Sequence, residues 1–153
     1  MPTIIGVISD THGLVRPEAL AALAGSTVIV HAGDIGGTDV LDQLRAIAPV
    51  IAVRGNNDTG AWARSLPDVQ DVEVAGFRLY VLHDVKTLAL DPGRAGVHAV
   101  IAGHSHRPQF RWRDGVLFLN PGSAGPRRFT LPIAVARIRV RRKKLAPEIV
   151  TLA

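Results

Sequence analysis

Aspartate, asparagine and histidine recur at five places in this 153-residue chain, each at the end of a short apolar run. The run TIIGVIS leads to Asp10-Thr11-His12, and STVIVHA leads to Gly33-Asp34. PVIAVRG leads to Asn56-Asn57-Asp58, FRLYVLH ends in His83, and HAVIA is followed by Gly103-His104-Ser105-His106. In an extended segment residues i and i+2 point the same way, so Asp10 with His12, and His104 with His106, can each address one centre. Gly33, Gly55 and Gly103 let the backbone turn closely as it leaves each run. Two carboxylates, one amide and four imidazoles exceed what one ion of ordinary coordination number needs; two ions sharing a bridging carboxylate match the count. Taken singly, an Asp or Asn after a strand is more often a turn residue or helix cap, and a lone His there is more often satisfied by hydrogen bonds. The joint occurrence carries the reading. His31 and His98 lie within or before the runs and read as structural, with His31 placed to orient Asp34 by a hydrogen bond.

The elements that must position these residues are legible from the same runs. Each is short, rich in Val, Ile or Leu, and bounded by Gly, Pro or Asp, as buried strands are. Helices fit between the first three: PEALAALAG, with Pro17 in its first turn and Gly25 as its stop, and TDVLDQLRAIAP, with Thr38 as N-cap and Pro49 as terminator. The second half is richer in strands. VQDVEVAGFRLYVLH reads as a hairpin turning at Ala75-Gly76, and FRWRDGVLFLN as one turning at Asp114-Gly115. Two further strands are expected around Ile133 to Val140 and Pro147 to Leu152. A βαβαβ half followed by a β-meander half predicts two sheets packed face to face with helices outside. In open α/β sheets ligands bind beyond the carboxyl ends of the strands, so the five polar tips are expected to converge on one crevice.

Composition narrows the chemistry. Cysteine is absent, which excludes disulfides, thiolate metal sites, iron-sulfur clusters and a Cys nucleophile, and leaves N and O ligands for any metal. With 47% hydrophobic and 20% charged residues and no low-complexity tract, the chain reads as one globular domain over residues 1–153. MPTIIGVISD has no basic leader region and no apolar run approaches a membrane span, so a cytoplasmic protein without a membrane partner is expected. The net charge of +5 is uneven: eight of the 18 basic residues lie between Arg127 and Lys144, where there is no acidic residue. That segment could be a nucleic-acid surface. Arg137, Arg139 and Arg141 alternate with Ile138 and Val140, however, and no aromatics interleave, which favours the exposed side of a strand.

The motifs SDTHG, HAGDI, VRGNND, GHSHRP and LNPGSAGPRR, in this order, resemble the calcineurin-like metallophosphoesterase superfamily, and in particular its small bacterial and archaeal phosphodiesterase branch. The resemblance spans nearly the whole chain. It implies a four-layer αββα sandwich of two mixed β-sheets flanked by helices, of the α/β class (α+β in some schemes). It implies that Asp10, His12 and His106 bind one divalent metal ion, that Asn56, His83 and His104 bind a second, and that Asp34 bridges both. The activity implied is hydrolysis of a small phosphate ester, most simply a phosphodiester, by in-line attack of a hydroxide activated between the two ions. Manganese is the expected activating ion, with Ni, Fe, Co and Zn also suited to N and O donors. Two positions depart from the family pattern. Asn57 stands where many members carry a His that protonates the leaving group, which leaves water, Asp58 or a metal-bound group for that task. His83 follows Leu82 and precedes Asp84, where the family usually has Gly-His. With Asp34, Asn57 and Asp58 complete the candidate catalytic residues. Two other readings stand beside the enzyme: a scaffold of the same fold, as in a retromer subunit of this superfamily, and a nuclease. The NPGS segment from Asn120 to Ser123 is expected to form a turn near the site. Homo-oligomerisation is left open.

Overall fold

The computed structural model describes residues 2–153. Five parallel-type runs become strands at the places their composition predicts: β1 (Thr3–Ile8), β2 (Val28–His31), β3 (Val50–Ala52), β5 (Phe77–Leu82) and β6 (Ala99–Ile101). The others are β4 (Val69–Val74), β7 (Gln109–Arg113), β8 (Val116–Asn120), β9 (Ala134–Arg141) and β10 (Lys144–Thr151). Three α-helices punctuate them: α1 (Pro17–Leu23), α2 (Thr38–Arg45) and α3 (Pro92–Ala95). Thr38 is the first helical residue of α2 rather than its N-cap; the cap position is taken by Gly37, with no side-chain capping bond.

The strands form two five-stranded mixed sheets, ordered β10-β9-β1-β2-β3 and β4-β5-β6-β8-β7. β1, β2 and β3 run parallel, as do β5, β6 and β8. The division into a first-half sheet and a second-half sheet does not hold. The last hairpin, β9-β10, crosses back and pairs antiparallel with β1, with Thr3 opposite Val140 and Val7 opposite Ala136. The reason is the apolar face of that hairpin: Ala136, Ile138 and Leu145 are buried among Ile5, Val7 and Val30 in the core between the sheets. Arg137 and Arg139 lie on the opposite face of β9, partly exposed, which is the alternation their spacing implies.

Three buried layers of side chains hold the sandwich together. Between the sheets, Ile5, Val7, Ile138 and their neighbours face Leu79, Val81, Ile101 and Leu117. On the outer face of the first sheet, Leu23 of α1 and Leu41 and Leu44 of α2 pack on Ile8, Ile29 and Val135. On the outer face of the second, Val100 and Phe118 pack with Leu88 and Leu90 of a segment whose only α-helix is the four-residue α3. The molecule is thus an α/β four-layer sandwich with a thin fourth layer. Among the described residues, no helix is long and apolar enough to cross a membrane.

Candidate metal centre

Hydrogen bonding does not stop where β1 ends. Asp10 N donates to Gly33 O at 3.0 Å, His12 N to Asp34 O at 3.0 Å and Gly13 N to Ile35 O at 2.8 Å, so the Asp10–His12 and Gly33–Asp34 segments leave the sheet side by side. Close backbone approach brings in the other tips. A Cβ on Gly55 would run into the backbone and carboxylate of Asp34, and one on Gly103 into Ser9 Oγ and the Asp10 carboxylate. Both positions therefore require glycine for a steric reason.

Asp10 is fully buried. Its Oδ2 accepts from Ser9 Oγ at 2.7 Å and from the backbone N–H of His104 at 3.0 Å. Its Oδ1 has no hydrogen-bond partner, yet His106 Nε2 lies 3.2 Å away and the Nε2 atoms of His12 and His83 each lie 3.9 Å away. Burial pushes this carboxyl up, but His106, the Ser9 hydroxyl and His83 outweigh it and hold Asp10 below the usual carboxylate range.

Asp34 is held from the other side. Its Oδ1 accepts from Asn57 N at 2.8 Å, and its Oδ2 accepts from Asn57 Nδ2 at 3.0 Å and lies 3.2 Å from His83 Nε2. Burial raises this carboxyl too, and the His83 contact and the Asn57 N–H groups reverse the shift, leaving it well below the ordinary value. His83 Nδ1–H donates to Ala32 O at 2.7 Å, which points Nε2 toward Asp34. Burial on its own lowers the His83 pKa; Asp34 and the Ala32 carbonyl more than offset it and raise it. His104, 46% exposed in its side chain, places Nδ1 3.3 Å from His83 Nε2 at the rim.

Six of the seven expected metal-binding residues therefore meet at one crevice. Potential ligand atoms of Asp10, His12 and His106 lie within 4.8 Å of one another, and so do those of Asp10, Asp34 and His83. The carboxylate common to both groups is Asp10, with Asp34 reaching toward the first only through His12 Nε2 at 3.8 Å. Asn56 lies on an exposed turn and lines a surface cleft with Arg54, Thr59 and Arg64, while the neighbouring Asn57 is the amide lying on Asp34. Asp58 is buried and occupied: Oδ2 accepts from Ile35 N at 3.1 Å and Gly55 N at 2.9 Å, and Oδ1 from Gly36 N at 3.0 Å. It ties the second and third tips together.

The donor set fits divalent cations. Two buried atoms that face each other in the cluster, Asp10 Oδ1 and His12 Nε2, lack the hydrogen bonds that burial normally demands, as does Nδ1 of His106, whose Nε2 lies 3.2 Å from Asp10 Oδ1. Nitrogen and carboxylate oxygen donors without thiolate suit first-row transition ions.

Several supporting residues carried little signal in the sequence. Ser123 Oγ donates to Asp10 O at 3.0 Å and Asn120 Nδ2 to Gly103 O at 2.9 Å, so the NPGS turn braces the first and fifth tips. His31 does not orient Asp34. Its Nδ1 accepts from Gly33 N at 3.1 Å, so its Nε2–H donates to Thr11 Oγ1 at 3.0 Å, and Thr11 Oγ1 in turn donates to Ile35 O at 2.7 Å. Burial lowers the His31 pKa to about 4, so it is a neutral strut. For Ser9 and Thr11 the one available clue is their adjacency to Asp10 and His12.

Comparison with known proteins bears on the family. Residues 4–143 match the calcineurin-like phosphoesterase superfamily domain. A probable metallophosphoesterase of Methanothermobacter thermautotrophicus is 35% identical over 96% of this chain and 91% of its own length. One from Methanocaldococcus jannaschii is 35% identical over 78% of this chain and 67% of its own. Among solved structures, a novel archaeal phosphodiesterase superposes with a TM-score of 0.81 at 24% identity, over 98% of this chain and 100% of that one. Vacuolar protein sorting 29 from Cryptosporidium parvum does so with 0.77 at 18%, over 99% and 98%, a likeness of fold alone. The chain belongs to the calcineurin-like phosphoesterase superfamily, whose members hydrolyse phosphate esters with divalent metals.

Proposed function

We propose that this chain is a phosphodiesterase working with two divalent ions, manganese foremost. Asp10, His12 and His106 would hold one ion. Asp34, His83 and His104 would hold the other, with Asn56 completing its shell from the exposed turn; Asp34, 3.8 Å from His12 Nε2, would be shared between the two, beside Asp10, which belongs to both groups of donors. The observation that carries the reading is the orphaned Oδ1 of buried Asp10, ringed by three imidazole nitrogens at 3.2 to 3.9 Å with no hydrogen bond made. When bound, such a pair of ions would supply Lewis acidity toward the phosphoryl oxygens and lower the pKa of bound water to about 7, giving a nucleophile at neutral pH.

The side chains account for the rest. Asp10 and Asp34 together offset only half the charge of two divalent ions, so the centre stays cationic and selects an anionic phosphate over a neutral ester. His83, fixed by Ala32 O, and the backbone-bound Asp10 are held in position before substrate arrives. Asn57 grips both oxygens of Asp34 and, as an amide, has no titratable proton for a leaving group. Asp58 serves by holding the turn, since three backbone N–H groups occupy its carboxylate. With proton delivery left to water, esters with good leaving groups should turn over faster than alkyl phosphates.

The test is hydrolysis of bis(p-nitrophenyl) phosphate by metal-stripped protein given back Mn, Ni, Zn or Mg, beside an Asp34→Asn control. Turnover restored by metal and absent in the control supports the phosphodiesterase. No turnover with any metal would sink it and put the scaffold reading first.

A further inference from the structure

A cavity of about 370 Å³ opens from His104 and runs along the outer face of the second sheet, between the Asp84–Lys86 segment and β7. Its volume is at the lower end of the range for small-molecule sites. The floor is apolar, from Val100, Ala102 and Phe118. Arg111 lies over the Phe118 ring, its Cζ 5.7 Å from the centroid, so a planar guanidinium forms one wall. Lys86 and Arg107 add two more cations, and among the described residues none of these three is ion-paired. The single carboxylate in the lining, Asp84, is engaged at the mouth: Oδ1 accepts from Lys86 N at 3.0 Å and Oδ2 lies 3.8 Å from His104 Nε2. Ser105 and Gln109 supply a hydroxyl and an amide, while the Asn120 amide is engaged by Gly103 O, Ser105 Oγ and Gly122 N.

We propose that this cavity binds the organic half of the substrate, and that this half is a nucleoside carrying a further phosphate. The inference rests on the phosphodiesterase reading of the adjoining centre and names its substrate class. A flat ring stacks on an arginine plane and an aromatic floor, which a lysine-only pocket could not offer. Three unpaired cations exceed the charge of the one phosphodiester that the metal centre itself would take, so a second anionic group is matched. The Gln109 amide and the Ser105 hydroxyl can then read ring edges. A simple alkyl ester uses none of this surface.

Two esters with the same leaving group separate the possibilities: methyl p-nitrophenyl phosphate and the p-nitrophenyl ester of thymidine 5′-monophosphate. With Mn-loaded protein, KM should be at least about tenfold lower for the nucleotide ester, equivalent to one cavity-worth contact of about 1.4 kcal/mol. Arg111→Ala and Lys86→Ala are exposed positions and should shrink that ratio. In parallel, thymidine 3′,5′-bisphosphate is titrated into metal-free protein by calorimetry, where wild type should bind more tightly than either variant. Turnover of both esters with equal KM would overturn the cavity assignment while leaving the phosphodiesterase intact. No turnover of either ester, with bisphosphate binding that Arg111→Ala weakens, would support the cavity and sink the hydrolase reading. Absence of bisphosphate binding would overturn the cavity outright.

Discussion

At the carboxyl end of the parallel strands, Asp10, His12, Asp34, His104 and His106 have φ values of 55, 47, 56, 70 and 63°. At the opposite end, three two-residue hairpin turns put Ala75-Gly76, Asp114-Gly115 and Arg142-Lys143 into the same left-handed region, with φ of 51 and 86, 51 and 79, and 43 and 65°. The backbone conformation is shared; its cause is not. In the hairpins, paired positive φ values are the local geometry of the tight turn that matches strand twist. At the crevice they are imposed by contacts between distant segments, such as Asp10 N to Gly33 O and His104 N to Asp10 Oδ2. Strain of that kind persists only where the surroundings over-determine it, and it gathers at working sites. Left-handed residues at one end are therefore replaceable by better turn formers, and at the other they are not.

The sharpest break of that comparison is Asp10→Asn. Asn tolerates the left-handed region as readily as Asp, so the backbone is kept and only the buried charge goes. Turnover of bis(p-nitrophenyl) phosphate with Mn should fall by about a thousandfold or more while circular dichroism stays native, as for loss of a preorganised charge in other sites. A loss under tenfold would mean that Asp10 serves the backbone alone. Asp58→Ala probes the contacts that impose the strain. It strips a charged acceptor from three backbone N–H groups, two of them buried, and urea unfolding should show a loss of about 3 kcal/mol. A loss below about 1 kcal/mol would show that the second and third tips hold themselves together.

His31 gives the comparison a pH axis. Its pKa is lowered from 6.5 to about 4 by burial, so between those values the unfolded chain binds the proton that the folded one refuses. The stability this contributes is full above pH 6.5 and is lost as pH falls toward 4, up to about 3 kcal/mol. Asp10 and Asp34, both shifted below 3.8, lose theirs only at more acid pH, and His83, shifted upward, acts above 6.5. Denaturant unfolding of metal-free protein from pH 7 to 4.5 should show this slope, and His31→Gln should flatten it. A slope unchanged in the variant would assign it to another group.

What was legible in the sequence follows the same line. The five apolar runs and their polar tips were readable because each is a local pattern, and five buried strands carry them. The Ala75-Gly76 and Asp114-Gly115 turns were readable because glycine announces the left-handed position. The Arg142-Lys143 turn was not, since neither residue advertises it, and the two last strands were expected to be separated by a gap of several residues instead of two. Which sheet that hairpin joins depends on Ile138 and Leu145 finding Ile5 and Val7, a contact across the whole chain. In the crevice, that the Asn57 amide lies on Asp34 depends on how one turn is rotated, and spacing does not encode that.

The Arg142-Lys143 turn allows the mildest and cleanest test. Both residues hold φ above +40° without glycine, Asn or Asp, and they sit in a run of four exposed cations, Arg141 to Lys144. Replacing them by Asn-Gly, the pair favoured for this turn, should raise stability by about 1 kcal/mol in equilibrium unfolding, with phosphodiester turnover unchanged. The gain should come from relieved backbone strain and from fewer like charges at one tip, and the second part should vanish in high salt while the first remains. The same relief applied at the crevice, His12→Gly, frees a φ of 47° but deletes an imidazole whose Nε2 lies among the Asp10 and Asp34 carboxylates. If the hairpin exchange were destabilising, its two cations would have to be making contacts that outweigh the turn, and the contrast between the two ends would dissolve.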